Sequence, residues 1–220
     1  MKYYSIAIDG PSSSGKSTAA KAIAKELGFT YIDTGAMYRA ITLKALRLKI
    51  QDLGNEENYK FIKDTKLEFV DNKMYMDGVD VSKEIREQDV VLNVSLVSSL
   101  RYVREELVNA QREFAKVANV CMDGRDIGTN VLKDATIKIF LVADVKERAK
   151  RRYLEQLEKG STMTLDEVEK DLERRDYFDS HREFNPLRKA EDAIEIDTTS
   201  MTIEEVQSKI ITLFKEFKHE

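Results

Sequence analysis

The sequence of 220 residues contains only one cysteine, Cys121, so no disulfide bond can form within the chain. A single thiol is typical of proteins kept in the reducing cytosol. Its position in the apolar run 118–122 predicts burial in the core rather than catalysis. No apolar stretch approaches the ~20 residues needed to span a bilayer, and the amino-terminal residues 1–6 show no signal-peptide pattern. We therefore expect a cytoplasmic protein without a membrane partner.

Excess positive charge is also absent. The formal net charge is −4, so no global basic field favours a nucleic-acid polymer as partner, and any affinity for anions must be local. The sequence has only two histidines, and His181 has no partner at metal-ligand spacing. We interpret His181 as a polar residue rather than a general base. No zinc, haem or flavin pattern is present.

Internal repeats and Gly/Ser linkers are missing as well. Short apolar runs instead alternate with amphipathic helical patterns, which predicts an α/β fold with a parallel sheet flanked by helices. The predicted strands are 3–8, 30–32, 119–122, 136–142 and 193–196. The predicted helices are 16–27, 36–49, 101–117, 145–159, 165–178 and 202–218.

Two stretches depart from this alternation. Residues 66–69, 73–76 and 79–81 are strand-like and separated by the turn pairs Asp71-Asn72 and Asp77-Gly78, which predicts a small antiparallel meander. Residues 160–189 are dense in charge and poor in aliphatic side chains. We expect them to form a solvated helical arm, and its arginines raise the question of a role in chemistry.

The strongest motif is a phosphate-binding loop that matches G-x-x-x-x-G-K-[ST], with an apolar strand before it and a helical pattern after it. Its residues are Gly10, Pro11, Ser12, Ser13, Ser14, Gly15, Lys16, Ser17 and Thr18. The glycines let backbone amides converge on phosphate oxygens, and the following helix adds its positive end. Lys16 is placed for the β- and γ-phosphates, and the Ser17 hydroxyl is a Mg²⁺ ligand. The sequence therefore predicts an ATP site that uses Mg²⁺.

Other nucleotide-binding classes lack their motifs here. No glycine has an aspartate three residues before it, and the only Asn-Lys pair, Asn72-Lys73, lacks the aspartate of a guanine reader. Neither a GTPase nor a transporter ATPase is indicated. Two classes stay open, a small-molecule kinase and a nucleotide-sensing module that binds or hydrolyses ATP without an acceptor.

Two segments are candidates for an acceptor site. In the first, Thr34 is expected to be a helix N-cap, and Arg39 follows one turn later, where an arginine fork binds phosphate bidentately. In the second, Arg125 and Asp126 follow a buried strand, where ligand-facing loops occur in open α/β sheets. Asp126 can accept a hydrogen bond from an exocyclic amine, and Arg125 can contact phosphate or base.

Arginines in the carboxy-terminal half are candidates for a mobile lid. Arg148, Arg151 and Arg152 share one helix face at i, i+3 and i+4 spacing, which predicts a cationic stripe, and more arginines follow in 174–182. Phosphoryl transfer needs positive charge around the migrating group and exclusion of water. A lid that closes over the phosphates supplies both and opens to release product.

Four motifs together resemble bacterial cytidylate kinases along nearly the whole chain. They are G-P-S-S-S-G-K-S-T at 10–18, D-T-G-A-M-Y-R at 33–39, D-V-S-K-E-I-R at 80–86 and D-G-R-D-I-G-T at 123–129. The resemblance implies transfer of phosphate from MgATP to CMP or dCMP. It also implies substrate-binding residues, namely Thr34, Tyr38, Arg39, Ser95, Arg104, Arg125, Asp126, Asp179 and Arg182. The residues implied around the transferring group are Lys16, Arg152, Arg175 and Arg182.

This resemblance also suggests how the chain is divided. We expect a single kinase domain over 1–220 that acts as a monomer. Its core comprises 1–35, 100–150 and 190–220, the acceptor-binding insert is about 36–99, and the lid is about 151–189. Kinases of other small acceptors, such as UMP, another monophosphate or shikimate, stay open as alternatives.

Overall fold

A computed structural model describes residues 3–70, 72–158 and 160–219. Its strands are β1 (Ser5–Asp9), β2 (Thr30–Asp33), β3 (Leu67–Val70), β4 (Lys73–Met76), β5 (Val79–Asp80), β6 (Val120–Gly124), β7 (Ile137–Val142) and β8 (Ile194–Asp197). Its α-helices are α1 (Lys16–Leu27), α2 (Thr34–Arg47), α3 (Gln88–Ser99), α4 (Arg101–Val117), α5 (Val145–Glu158), α6 (Leu165–His181) and α7 (Ile203–His219).

Five strands form a parallel sheet in the order β2-β6-β1-β7-β8. Helices pack on both faces, so the central strands β1 and β6 are buried almost throughout, whereas the edge strand β8 alternates apolar and charged residues. Cys121 in β6 lies opposite Ile6 of the central strand β1 and is fully buried with a free thiol, as predicted. The predicted α/β class with a parallel sheet is confirmed.

The core has two halves, one on each face of this sheet. One half joins the sheet to α2, α3 and α4 and includes Met37 and Val97, both fully buried. The other half joins it to α1 and α7 and includes Ile23 and Phe214. Because all five strands run the same way, their carboxyl ends meet at one edge, where ligands bind in open α/β sheets.

A separate three-stranded antiparallel sheet, β3-β4-β5, lies between α2 and α3 in the chain. Asp77 and Gly78, which connect its last two strands, have φ values of 53° and 81°. Two consecutive positive φ values are what a tight two-residue hairpin turn requires. The predicted meander is therefore confirmed, although Asp71 of the other predicted turn lies outside the described residues.

The main element missing from the prediction is α3. Its sequence is rich in valine, which is stiff at χ1 and favours strands in isolation, so packing against α2 and α4 decides the helix. A second correction concerns Thr34, which is not an N-cap. Asp33 caps α2 instead, because its carboxylate accepts a hydrogen bond of 2.8 Å from the Ala36 amide.

The other predicted boundaries agree to within three residues, and the end of the predicted helix 145–159 lies outside the described residues at position 159. Among the helices that the structure describes, none has both the length and the apolarity that crossing a membrane requires.

Candidate active site

The phosphate-binding loop connects β1 to α1, as the motif predicts. A side chain at Gly10, where φ is 153°, would place its Cβ 2.3 Å from the Leu141 carbonyl oxygen, so this position accepts only glycine. Gly15 has φ 89° and immediately precedes α1. The unpaired amides of the first turn of α1 therefore face the loop, which suits binding of an anion.

Lys16 points back into this loop. Its side chain is nearly buried, and its Nζ donates a hydrogen bond of 2.6 Å to the Pro11 carbonyl oxygen. Burial lowers the pKa of Lys16 to about 7, with a further contribution from the Arg125 guanidinium, although Asp123 and Asp179 oppose the shift. Since a phosphate would restore the favourable environment of the ammonium group, this lysine is suited to an anionic ligand.

The side chains of Ser17 and Asp123 meet at the carboxyl edge of the sheet. The Ser17 hydroxyl donates to an Asp123 carboxylate oxygen at 2.6 Å, and the Tyr31 hydroxyl donates to the other oxygen at 2.8 Å. Burial raises the pKa of Asp123, as does the nearby carboxylate of Asp33. Within residues 3–70, 72–158 and 160–219, no three His, Cys, Asp or Glu side chains are grouped to hold a metal ion alone.

Asp123 was not among the residues singled out from the sequence. Its position at the end of a buried strand, together with the serine of the phosphate loop, could have identified it, since a strand-end aspartate shares Mg²⁺ with that hydroxyl in P-loop enzymes.

The predicted acceptor residues include a buried ion-pair network. Arg104 on α4 and Arg182 after α6 both pair with Asp126, at 2.6 and 3.5 Å, and these three side chains are at most 6% exposed. Arg125 pairs with Asp179 at 2.7 Å. Burial alone would raise the pKa of Asp179, but Arg125 and Arg182 outweigh it and hold the pKa below its usual value. Charged groups this deeply buried are stable only when paired. We call these five residues the acceptor cluster.

Helices α2 and α3 contribute the remaining predicted residues. The Arg104 guanidinium lies 5.4 Å from the ring centroid of Tyr38. Arg39 pairs with Asp33 at 3.1 Å, while its Nε is buried and has no hydrogen-bond partner among the described residues. Ser95 is half-buried, one turn before Ser98, whose carbonyl oxygen accepts from Arg104.

Thr34 joins the acceptor side to the donor side. Its buried hydroxyl donates to the Asp123 carbonyl oxygen at 2.7 Å, while the Asp123 side chain contacts Ser17. The two halves of the site therefore meet at one residue of β6.

A second carboxylate, Asp9, also connects the two halves and was missed in the sequence. Asp9 is the last residue of β1, directly before the phosphate loop, and accepts from the amides of Ile127 and Gly128 at 2.8 and 2.7 Å. It thereby holds the turn that follows Asp126. Burial raises the pKa of Asp9 to about 7, opposed by these two hydrogen bonds. Only the structure reveals this role of Asp9, because the turn that it holds lies more than a hundred residues away in the sequence.

The prediction of a cationic stripe on α5 is wrong for Arg148 and Arg151, which are not free to meet a ligand. Arg148 is buried and donates to the carbonyl oxygens of Ala143 and Ser12, and Arg151 donates to those of Thr198 and Thr199. Backbone carbonyls therefore occupy both side chains, and Arg148 also pairs with Asp176 at 2.6 Å.

The third arginine of that stripe, Arg152, is half-buried and pairs with Glu155 at 3.0 Å. Arg175 on α6 carries a buried Nε with no hydrogen-bond partner among the described residues. Burial, and then repulsion by Arg125, lower the pKa of Arg175 to about 10. A buried guanidinium with an unsatisfied donor favours binding of an anion. His181 is exposed and stacks on Tyr177 with ring centroids 4.0 Å apart, which agrees with a polar surface role.

Known proteins resemble this chain over nearly its whole length. The family model described as "Cytidylate kinase" matches residues 6–216. A cytidylate kinase of Bacillus cereus (strain B4264) is 51% identical over 217 residues, which are 96% of each chain. A cytidylate kinase of Bacillus thuringiensis (strain Al Hakam) is 51% identical over 215 residues, 96% of this chain and 95% of that protein.

Among solved structures, an uncharacterized protein from Eubacterium ventriosum ATCC 27560 superimposes with a TM-score of 0.52. The superposition covers 98% of this chain and 99% of that one at 15% identity, so it shows a shared fold alone.

Proposed function

The chain belongs to the cytidylate kinase family, and from this membership we propose that it transfers the γ-phosphoryl group of ATP to CMP and dCMP, forming ADP and CDP or dCDP. The observation that carries the proposal is the position of the acceptor cluster beside the phosphate loop. Asp123 contacts Ser17 of the loop, and Arg125 and Asp126 of the cluster follow it by two and three residues. A donor held by residues 10–18 therefore faces an acceptor held by the cluster.

On the donor side, the loop amides and the amino end of α1 bind the phosphates, and Lys16 places a positive charge against them. The nearly buried ammonium acts at low effective dielectric, where its attraction for a phosphate is far stronger than in water. Transfer proceeds in line between the two nucleotides without a covalent enzyme intermediate, so the protein contributes position and charge.

Ser17 and Asp123 would hold Mg²⁺, since a hydroxyl and a carboxylate are oxygen ligands that this ion prefers. When bound, Mg²⁺ neutralises charge on the phosphates. The 2.6 Å hydrogen bond between Ser17 and Asp123 already brings these two ligands together in the protein.

On the acceptor side, we assign recognition of cytosine to Asp126. Its two oxygens accept from Arg104, Arg182 and Asn130, yet a carboxylate has about four lone-pair sites, so one site remains for the 4-amino group of cytosine. Uracil carries a carbonyl there, and two facing acceptors leave a buried group unpaired at a cost of about 1–3 kcal/mol.

The remaining predicted residues hold the acceptor's phosphate, sugar and base. Arg39 and Arg125 are the candidates for the phosphate, since an arginine fork matches phosphate oxygens. The other acceptor assignments are Thr34, Tyr38, Ser95, Arg104, Asp179 and Arg182.

Residues 151–189 form the proposed lid over a core of 1–35, 100–150 and 190–220, with the acceptor insert at about 36–99. Arg152, Arg175 and Arg182 stabilise the transferring group when the lid is closed, and closure excludes water. Of these, Arg175 has the buried unsatisfied donor that such a role requires.

We also propose that the enzyme works in the reducing cytoplasm as a monomer, with no membrane or nucleic-acid polymer as partner. The buried free thiol of Cys121 suits a reducing compartment, and both substrate sites come from one chain. Light scattering of the eluting protein would test the monomer, and a peak at twice the mass of 25.3 kDa would contradict it.

A coupled assay of ADP release tests the reaction. With ATP and Mg²⁺ fixed, CMP, dCMP, UMP, AMP and shikimate are compared by kcat/KM, and a reaction without acceptor measures hydrolysis. We expect CMP and dCMP to exceed the others by at least tenfold. UMP or AMP exceeding CMP tenfold would overturn the acceptor, and ADP release that no acceptor stimulates would indicate a nucleotide-sensing module.

A further inference from the structure

One peptide unit of the phosphate loop is held from both sides by charged groups of the lid region. The Ser12 amide donates to the Asp176 carboxylate at 3.3 Å. The Ser12 carbonyl oxygen accepts from Arg148 at 3.0 Å, and the same Arg148 nitrogen donates to the other Asp176 oxygen at 2.6 Å. The three groups form a closed ring of hydrogen bonds, which we call the Ser12 clamp.

The clamp draws its side chains from different parts of the fold. Arg148 lies in the first turn of α5 and is also fixed to the Ala143 carbonyl oxygen, so it is anchored to the end of β7. Asp176 belongs to α6, in the lid. The Arg148 side chain is 7% exposed and that of Asp176 is 21% exposed, so the clamp lies largely out of water, where charge-assisted hydrogen bonds are stronger.

The clamp makes the shape of the loop depend on where α6 lies. Ser13, the next residue, has φ 61°, an unfavourable conformation for a residue other than glycine that persists only when its surroundings fix it. Withdrawal of α6 breaks the hydrogen bond that the Ser12 amide donates to Asp176. The same movement withdraws Arg175, the adjacent residue of α6 with the buried unsatisfied donor.

We propose that Asp176 is a positioning residue, which fixes the Ser12 peptide through the clamp and so joins closure of the lid to the conformation of the ATP-binding loop. This inference rests on the proposed kinase function. It assigns Asp176 no contact with either substrate, and its effect is exerted on ATP through Ser12. A purely structural ion pair between α5 and α6 would instead lower stability and leave the loop unchanged.

The first experiment compares Asp176→Asn with Asp166→Asn, which removes the same charge from the same helix. Asp166 pairs with Lys170 at the surface and is 74% exposed, so its variant controls for charge. Asparagine keeps one acceptor but loses the charge that holds Arg148. For Asp176→Asn we expect KM for ATP to rise fivefold or more, kcat to fall about tenfold, and KM for CMP to stay within twofold. The control should match the wild type in all three.

A direct readout of the loop is the hydrogen exchange rate of the Ser12 amide, measured by NMR without nucleotide. We expect exchange at least tenfold faster in Asp176→Asn and unchanged in Asp166→Asn. If Asp176→Asn lowers the melting temperature while Ser12 exchange and KM for ATP stay at wild-type values, the residue is structural and the proposal is wrong.

Arg148→Lys supplies an independent variant, because a single ammonium replaces the nitrogen fork that reaches Ser12, Asp176 and Ala143. In a double-mutant cycle, the combined rise in KM for ATP should be well below the product of the two single effects, since either substitution breaks the same ring. Multiplicative effects would contradict a clamp that acts as a unit. If Asp176→Asn is too unstable to assay, Arg148→Lys alone should raise KM for ATP and speed Ser12 exchange, and wild-type values of both would overturn the proposal.

ATP binding measured by calorimetry without acceptor separates this inference from the proposed function. If the wild type fails to phosphorylate CMP, the proposed reaction fails. The ATP affinity and the Ser12 exchange rate of the variants still decide whether the clamp exists.

Discussion

The donor half of the site is one continuous segment, residues 10–18, whereas the acceptor half is assembled from side chains far apart in the chain. Arg182 lies 56 positions from Asp126, and Arg125 lies 54 positions from Asp179. The loop has its shape because of local backbone requirements, such as the approach of Gly10 to the Leu141 carbonyl oxygen. The acceptor cluster has its shape because buried charges must be paired.

This difference determines how each half responds to mutation. Removing a functional charge from the loop should abolish activity and leave the fold intact, because that charge is only partly compensated in the free protein. Removing a charge from the acceptor cluster should damage the fold and the selectivity together, because the remaining charges become unpaired in a buried setting.

The largest effect on stability should come from Asp126→Asn. This change leaves Arg104 buried without its carboxylate and leaves Arg182 with only the longer pair to Asp179 at 3.9 Å. We expect the free energy of unfolding to fall by about 3–5 kcal/mol. Preference for CMP over UMP should erode while ATP affinity stays within threefold. Urea unfolding and competition kinetics measure the two effects.

The control for this variant is Asp171→Asn, which breaks the surface pair with Arg174 and should cost less than about 1 kcal/mol. A loss below about 1 kcal/mol for Asp126→Asn as well would show that the cluster does not behave as a buried network.

Lys16→Met should produce the opposite combination. We expect kcat to fall on the order of 10²–10³-fold, the effect of losing one preorganised electrostatic contact. Stability at pH 8 should be equal or higher, because burial lowers the pKa of Lys16 from 10.5 to about 7, so folding disfavours its charged form. Denaturant unfolding and turnover measure this pair of effects. Lys21→Met, on the exposed face of the same helix, should change neither, and a clear loss of stability in Lys16→Met would contradict the prediction.

Asp9→Asn tests the carboxylate that spans both halves. Its pKa is raised from 3.8 to about 7. At a pH between these two values, Asp9 therefore holds a proton in the folded protein that it has released in the unfolded chain. The stabilisation is therefore present below pH 4 and lost as the pH rises to 7.

Relative to Asp9→Asn, the wild type should lose about 2 kcal/mol of unfolding free energy between pH 5 and pH 7, since one pKa unit corresponds to about 1.36 kcal/mol. Urea unfolding at pH 5, 6, 7 and 8 measures this difference, which should level off above pH 7. A constant difference across the range would show that the carboxyl group keeps an ordinary pKa.

The smallest effect should come from Thr34→Val, which removes one buried hydrogen bond to the Asp123 carbonyl oxygen. We expect a loss of about 1 kcal/mol in stability and a modest rise in KM for CMP, because the contact ties α2 to β6. Thr42→Val removes a buried bond within the same helix, to the Tyr38 carbonyl oxygen. That control should leave KM for CMP unchanged, and equal KM values in both variants would argue against a tie between the two substrate sites.

Sequence patterns predicted most of the fold, because the hydrophobic period and the turn residues are local. Within the described ranges, the strands of the parallel sheet and every α-helix except α3 follow from that period. Helix α3 shows where the hydrophobic period fails as a guide. Its valine-rich segment is helical here only through packing against α2 and α4. The N-cap of α2 was misplaced by one residue, because Asp33 and Thr34 are both good caps and only the observed bond to the Ala36 amide decides between them.

Candidate site residues were predictable to different degrees in the two halves. The sequence by itself determined the phosphate loop, because the glycine positions, the lysine and the flanking strand and helix are all contained in one short segment. It also supplied the charges that the acceptor cluster uses, through the resemblance of its motifs to one family.

Only the tertiary structure decided which of those charges meet. It showed Arg148 and Arg151 bound to backbone carbonyls instead of forming a free stripe, and it brought Asp9, Asp123 and Asp176 into contact with the loops. The physical reason is that pairing of buried charges depends on distances across the sheet edge, and those distances follow from the packing of the whole chain.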